Sequence, residues 1–153
     1  MRHVELRQRF QTYHDLLQHV SRFQNDTRLL AEWSKYLCIL LYGCIEQSVK
    51  LIFREYARRR CDLSILAFVE HKLERYNKIN AIEVVNIARL FNADLANRMT
   101  GADDRFTSAV NSVVDIRNRI AHGDYVGISY HTIRDYHDRV RSYIELLEDV
   151  FIP

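Results

Sequence analysis

The stretch "VVDIRNRIAHGDY" (residues 113–125) opens as an apolar helix and closes on Arg117, Asn118, Arg119, His122 and Gly123. Residues four apart share a helix face, so Asn118 and His122 point the same way. Arg117, five residues before His122, sits part-way round the cylinder, and its side chain is long enough to curl back. Asp115 is placed to pair with Arg119, which leaves Arg117 freer. Imidazole changes charge near neutral pH, and guanidinium is a fixed, forked donor for phosphate oxygens. One His and one Arg without a metal suit the cutting of RNA through its own 2′-hydroxyl. A base takes the 2′ proton, the freed oxygen attacks the adjacent phosphorus, and an acid protonates the departing 5′ oxygen. The guanidinium stabilises charge on the phosphoryl oxygens. One imidazole cannot be base and acid in the same step, and a symmetric dimer that joins two copies of the cluster supplies the second. The plainer alternative is a polar helix end capped by Gly123.

Other polar residues carry less chemistry. His14 and His19 are five apart, and His131 and His137 six apart, with no ligand partner at suitable spacing. The sequence therefore offers no metal set and calls for no cofactor. Arg54, Arg58, Arg59 and Arg60 can hold an RNA backbone, or form the solvated basic end of a helix. Tyr125 and Tyr130 lie near the cluster and can stack on unpaired bases, whereas the spacing of Tyr136 puts it in the core. Glu46 is four residues before Lys50, which makes an intrahelical pair the simplest account of it. Asp103 and Asp104 read as a helix start.

The elements that must position these residues are helical. The chain has 153 residues, almost half of them apolar; its one proline is the last residue, and it has only four glycines. Long stretches thus lack helix breakers. Residues 3–23 and 64–76 have amphipathic spacing, and "NDT" (25–27) supplies caps for a second helix from about Leu29 to about Arg60. The middle of that helix is apolar on nearly every side, as expected of a central, buried element. Asn80 and Glu83 suit a capping box for residues 81–91. Residues 92–104 read as a loop. A helix from Asp103/Asp104 to Gly123 and another capped by Ser129 complete the chain. The expected fold is all-α, one domain over 1–153, a compact bundle of five or six helices around a long central second helix. The longest apolar run, "LCILLYGCI" (37–45), is too short to span a bilayer. The N-terminus has no apolar signal core. Cys38, Cys44 and Cys61 match no disulfide or zinc framework, and Cys38 and Cys44 read as small core residues in a reducing cytoplasm. A net charge of +2 excludes a strongly cationic coat but permits a local basic patch.

Arg117-Asn118-Arg119-Ile120-Ala121-His122 matches the R-x4-H signature of HEPN-superfamily ribonucleases, with the common Asn after the Arg and a Gly after the His. The long "SKYLCILLYGCIEQSVKLIFREYARR", the late "RNRIAHG" and the "VGISYHTIRDYHDRV" after it resemble the RiboL-PSP type of HEPN domain over most of the chain. The resemblance implies a helical bundle, a homodimer with motifs facing across a shared cleft, and metal-independent endoribonuclease activity. It places such proteins among toxins of toxin–antitoxin systems and RNA-cutting modules of phage defence. It makes Arg117 and His122 catalytic, with Asn118 orienting them. A polar residue from an earlier helix often supports such a site, and Glu46, set in an apolar stretch, is the candidate. Arg58, Arg119 and Tyr125 are the residues expected to hold RNA. An antitoxin, nucleotidyltransferase or defence protein is the further partner implied. Some relatives carry a modified Tyr two residues after the His, where Asp124 stands here with Tyr125 beside it. Non-catalytic members of the superfamily bind nucleotides or proteins, which is the alternative reading.

Overall fold

The apolar second helix sets the architecture. In the computed structural model, which describes residues 1–153, it runs as α2 over Thr27–Arg58. At 1.5 Å per residue it is about 48 Å long. Asp26 starts it, its carboxylate accepting from the Leu29 N–H at 2.9 Å. Leu37, Cys38, Leu41, Ile45, Val49, Ile52 and Phe53 along it are wholly buried. By length and composition the full helix is apolar enough to cross a membrane, unlike its 37–45 core taken alone, but 67% of its apolar window is buried inside the bundle.

Three long helices cover α2. α1 (Val4–Val20) lies antiparallel to it, with the Tyr13 hydroxyl donating to the Leu37 carbonyl at 2.9 Å and Glu5 near Arg54. A 3₁₀ turn over Ser21–Phe23 follows α1. The last helix, α7 (Tyr130–Phe151), runs in the same direction as α2, and Phe53 meets Phe151 edge-on at 5.0 Å. It starts at Ser129, whose hydroxyl accepts from the Thr132 N–H. The penultimate helix, α6 (Asp104–Ala121), is capped by Asp103 and packs against both α2 and α7. The buried Glu148 carboxylate on α7 accepts from the backbone N–H groups of Arg2 and His3, which ties the N-terminal segment to the far end of the bundle.

Three shorter helices complete the chain: α3 (Leu63–Glu74), α4 (Ala81–Phe91) and α5 (Ala93–Met99). Asn80 caps α4 through the Glu83 N–H. α5 corrects the expectation of a loop over 92–104 and brings the count to seven. The polar "ADLANRM" is too short to show a helical period, yet Asn92 caps it through the Leu95 N–H, and Ala96 and Met99 are buried against the bundle. All three cysteines are free; Cys38 is buried, and Cys44 and Cys61 are half-buried. Burial pushes the Cys38 thiol up to about 12. Tyr136 packs half-buried against the core.

The seam between α1 and α7 holds a buried imidazole. His137 is 1% exposed, stacks on Tyr13 at 5.2 Å between ring centres, and touches Phe10 and His14. Its Nδ1 bonds Asp138, and its Nε2 has no partner. Burial lowers its pKa below 6.5, aided by His14 and Arg141 and opposed by Asp138. The unfolded chain therefore binds this proton more readily, so His137 contributes stability that is full above the ordinary imidazole value and is lost as pH falls toward the folded-state value. The urea midpoint is expected to drop between pH 7.5 and 5.5, and His137→Phe is expected to flatten that slope. An unchanged slope in the variant overturns this account.

Candidate active site

The Arg117–His122 segment owes its shape to how α6 ends. His122 is the last residue of the helical path, and Gly123 follows with φ +81°. The Gly123 N–H bonds the Ile120 carbonyl at 3.1 Å, and the Asp124 N–H bonds the Arg119 carbonyl at 2.9 Å. This pair of bonds is the Schellman stop, which needs a left-handed residue at Gly123. Val126 and Ile128, both buried, then anchor the connection to α7. Arg119 closes the same loop, donating from Nη2 to the Tyr125 carbonyl at 3.1 Å. The expected Asp115–Arg119 ion pair does not form; the loop carbonyl takes its place.

Arg117 is half-buried and its side chain leans back along α6, as helical side chains do. Its guanidinium lies 4.9 Å from the centre of the Tyr42 ring on α2, and Nη1 donates to Asn118 Oδ1 at 3.1 Å. It has no carboxylate in ion-pair range. Asn118 thus touches Arg117 directly, and its backbone carbonyl accepts from the His122 N–H at 3.0 Å. The imidazole of His122 is exposed and free of intramolecular hydrogen bonds. Within one chain, Arg117 and His122 share a helix end but make no hydrogen bond with each other.

Tyr42 is the site residue that sequence reasoning missed. Its hydroxyl donates to the Asn77 carbonyl at 2.8 Å and accepts from the Ile79 N–H at 3.4 Å, which fixes the ring beneath Arg117. Burial pushes its phenol above the ordinary value; the Ile79 N–H opposes this, as does Arg117, while the Glu46 carboxylate adds to it. The one available signal was its position one turn before Glu46 on α2. Glu46 itself bonds Lys50 at 2.8 Å, and Lys50 also reaches Glu74 at 3.3 Å. Glu46 makes no ion pair with Arg117; the carboxylate and guanidinium charges meet only in their opposed effects on the Tyr42 phenol.

The expected RNA-holding residues are divided. Tyr125 is 87% exposed beside the motif, and the Lys35 ammonium on α2 sits 5.6 Å from its ring centre. Arg119 is exposed but engaged with the loop. Arg58 bonds Glu55 at the C-terminal end of α2, 23 residues beyond Lys35 and so about 35 Å along the helix. The fold does not bring it to the motif. Tyr130 donates its hydroxyl to the Leu17 carbonyl, which makes it a tie to α1. No group of three or more His, Cys, Asp or Glu side chains is disposed to hold a metal ion.

The all-α bundle and the R-x4-H motif at the solvent-facing end of its penultimate helix fit a HEPN-type domain. The chain belongs to the RiboL-PSP-HEPN family, whose model matches residues 4–152. No curated protein and no solved structure matches it.

The Schellman stop gives a direct test of what positions the cluster. A Cβ at Gly123 meets no atom within 4 Å, so the cost of Gly123→Ala is backbone strain alone. The substitution is expected to lower unfolding free energy by about 1–2 kcal/mol. Gly127→Ala, with equal space and no positive φ, is the control and is expected to change stability little. Equal effects of the two in urea unfolding contradict this role for Gly123.

Proposed function

We propose that the protein is a metal-independent endoribonuclease that cuts RNA by attack of a 2′-hydroxyl on the adjacent phosphorus, acting as a homodimer. The observation that carries this reading is the state of Arg117: half-buried, steered by Tyr42 and Asn118, and without an anionic partner in the chain. A guanidinium held this way is ready for a phosphate. Exposed His122 stands at the same helix end and is free to move a proton. One His122 removes the 2′ proton and its symmetry mate protonates the 5′ oxygen. Arg117 stabilises the charge on the phosphoryl oxygens, and Asn118 positions Arg117. Tyr42 and Glu46 support the site from α2, with Tyr42 as the platform. Tyr125 and Lys35 offer a stacking face and a cation to the neighbouring nucleotides. Such an enzyme suits a toxin of a toxin–antitoxin or phage-defence system, held in check by an antitoxin or nucleotidyltransferase-type partner.

The absence of a hydrogen bond between Arg117 and His122 within one chain favours a second reading, a non-catalytic module that binds nucleotides or proteins. Cleavage separates the two. The wild-type protein is expected to leave 2′,3′-cyclic phosphate ends on RNA in the presence of a chelator. His122→Ala is expected to lose about 10²–10⁴-fold in rate with its fold intact by circular dichroism. Tyr42→Leu removes the platform and is expected to slow cleavage, while Tyr42→Phe retains the ring and most of the rate. Cleavage that survives His122→Ala, or that requires a divalent metal, counts against the nuclease reading. No cleavage of varied RNAs, with nucleotide binding retained, selects the second.

A further inference from the structure

The C-terminal part of α2 together with α3 and α4 encloses a recess of about 410 Å³, within the range of small-molecule sites. Its floor reaches the core: Ala57, Leu73 and Ile87 line it and are almost fully buried. Phe68 and Leu90 stand exposed at its lips. Leu73 is the only buried side chain of α3, although Leu63, Ile65 and Phe68 on the same helix are apolar and exposed. α3 thus rests on α2 through Leu73 and leaves a hollow beneath its other apolar side chains.

The charges of α3 are sorted around this hollow. Glu70 and Glu74 face the neighbouring polar cleft, where Glu74 bonds Lys50. Lys72, on the same helix face as Ile65 and Phe68, lines the recess, and Arg60 lines it from just beyond the end of α2. No carboxylate lines it, and neither cation is ion-paired. The Arg60 guanidinium lies 3.8 Å from the Tyr56 ring centre and donates once, to the Tyr56 carbonyl. Most of its N–H donors remain free. The Lys72 ammonium sits 5.4 Å from the Phe68 ring centre.

We infer that this recess binds a small amphipathic anion, its apolar body on Leu73, Ile87 and Phe91 and its anionic head between Arg60 and Lys72. Depth favours a compact ligand over a flat protein face, and two unpaired cations beside an apolar hollow favour an acid over a neutral lipid. The inference stands apart from the nuclease reading, and its test reads binding alone.

The probe is octanoate, titrated into the full chain by calorimetry and by amide NMR, with 1-octanol as the neutral comparison. Expected are saturable one-to-one binding, shifts centred on α3, α4 and the end of α2, and about tenfold weaker binding of octanol. Arg60→Gln/Lys72→Gln changes two exposed side chains and is expected to weaken octanoate about tenfold while leaving octanol unaffected. Val69→Trp, which fills the recess, is expected to abolish both. Octanol binding as tightly as octanoate overturns the inference. So do an unaffected charge variant, shifts centred elsewhere, or no saturable binding up to about 1 mM.

Discussion

A helix that is apolar on nearly every side must be surrounded, and the burial of α2 is the constraint on which the rest of the structure depends. Removing that surface from water stabilises the fold by roughly 1.5–3 kcal/mol for each fully buried large aliphatic or aromatic side chain. α1, α6 and α7 are each amphipathic, and each offers one apolar stripe to α2. Their order follows: α1 returns antiparallel, α7 runs alongside, and α6 fills the remaining flank in the opposite sense to α7. The short connection between α6 and α7 is a consequence, because antiparallel neighbours need only a tight turn. The motif lies on the last turn of α6, where that connection begins.

The motif is exposed because the core stops supporting α6 at that point. Val110, Val113 and Val114 are buried, while His122 and the residues after it reach solvent until Val126. Arg117 sits at the border between the two regimes. Partial burial of a guanidinium is costly unless polar partners meet it. Tyr42 and Asn118 do so without neutralising its charge, the ring contributing roughly 0.5–2 kcal/mol depending on desolvation. A carboxylate in the same place would have stabilised the free protein and removed the attraction for a phosphate. The helix end adds to this balance, since the C-terminal dipole of α6 favours the cations gathered there.

The periphery has a different character. α3 and α4 expose the large apolar side chains Leu63, Phe68, Ile82 and Leu90, and they border an apolar hollow beside two unpaired cations. The tie between Tyr42 and Asn77 joins the connection after α3 to the platform beneath Arg117. The two regions are therefore neighbours, with the Ala81 N–H donating to Asn111 Oδ1 on α6 as a second tie, although their chemistry is unrelated.

Much of this was legible in the sequence, for local reasons. The caps at Asp26, Asn80, Asp103 and Ser129 and the stop at Gly123 are short-range contacts between residues a few positions apart, so their types and spacing specify them. The central place of α2 followed from its all-round apolarity, and the R-x4-H motif lies in a continuous stretch that carries its own family resemblance. α5 escaped because seven residues are too few for a period to show; the Asn92 cap and the burial of Ala96 and Met99 hold it helical. The choice of Tyr42 as Arg117's platform, the diversion of Arg119 to the loop carbonyl and the distance of Arg58 from the motif were decided by tertiary structure. Each depends on which helix crosses which and at what register. Those crossings are fixed by packing between residues far apart in the chain, and periodicity within one helix carries no information about them.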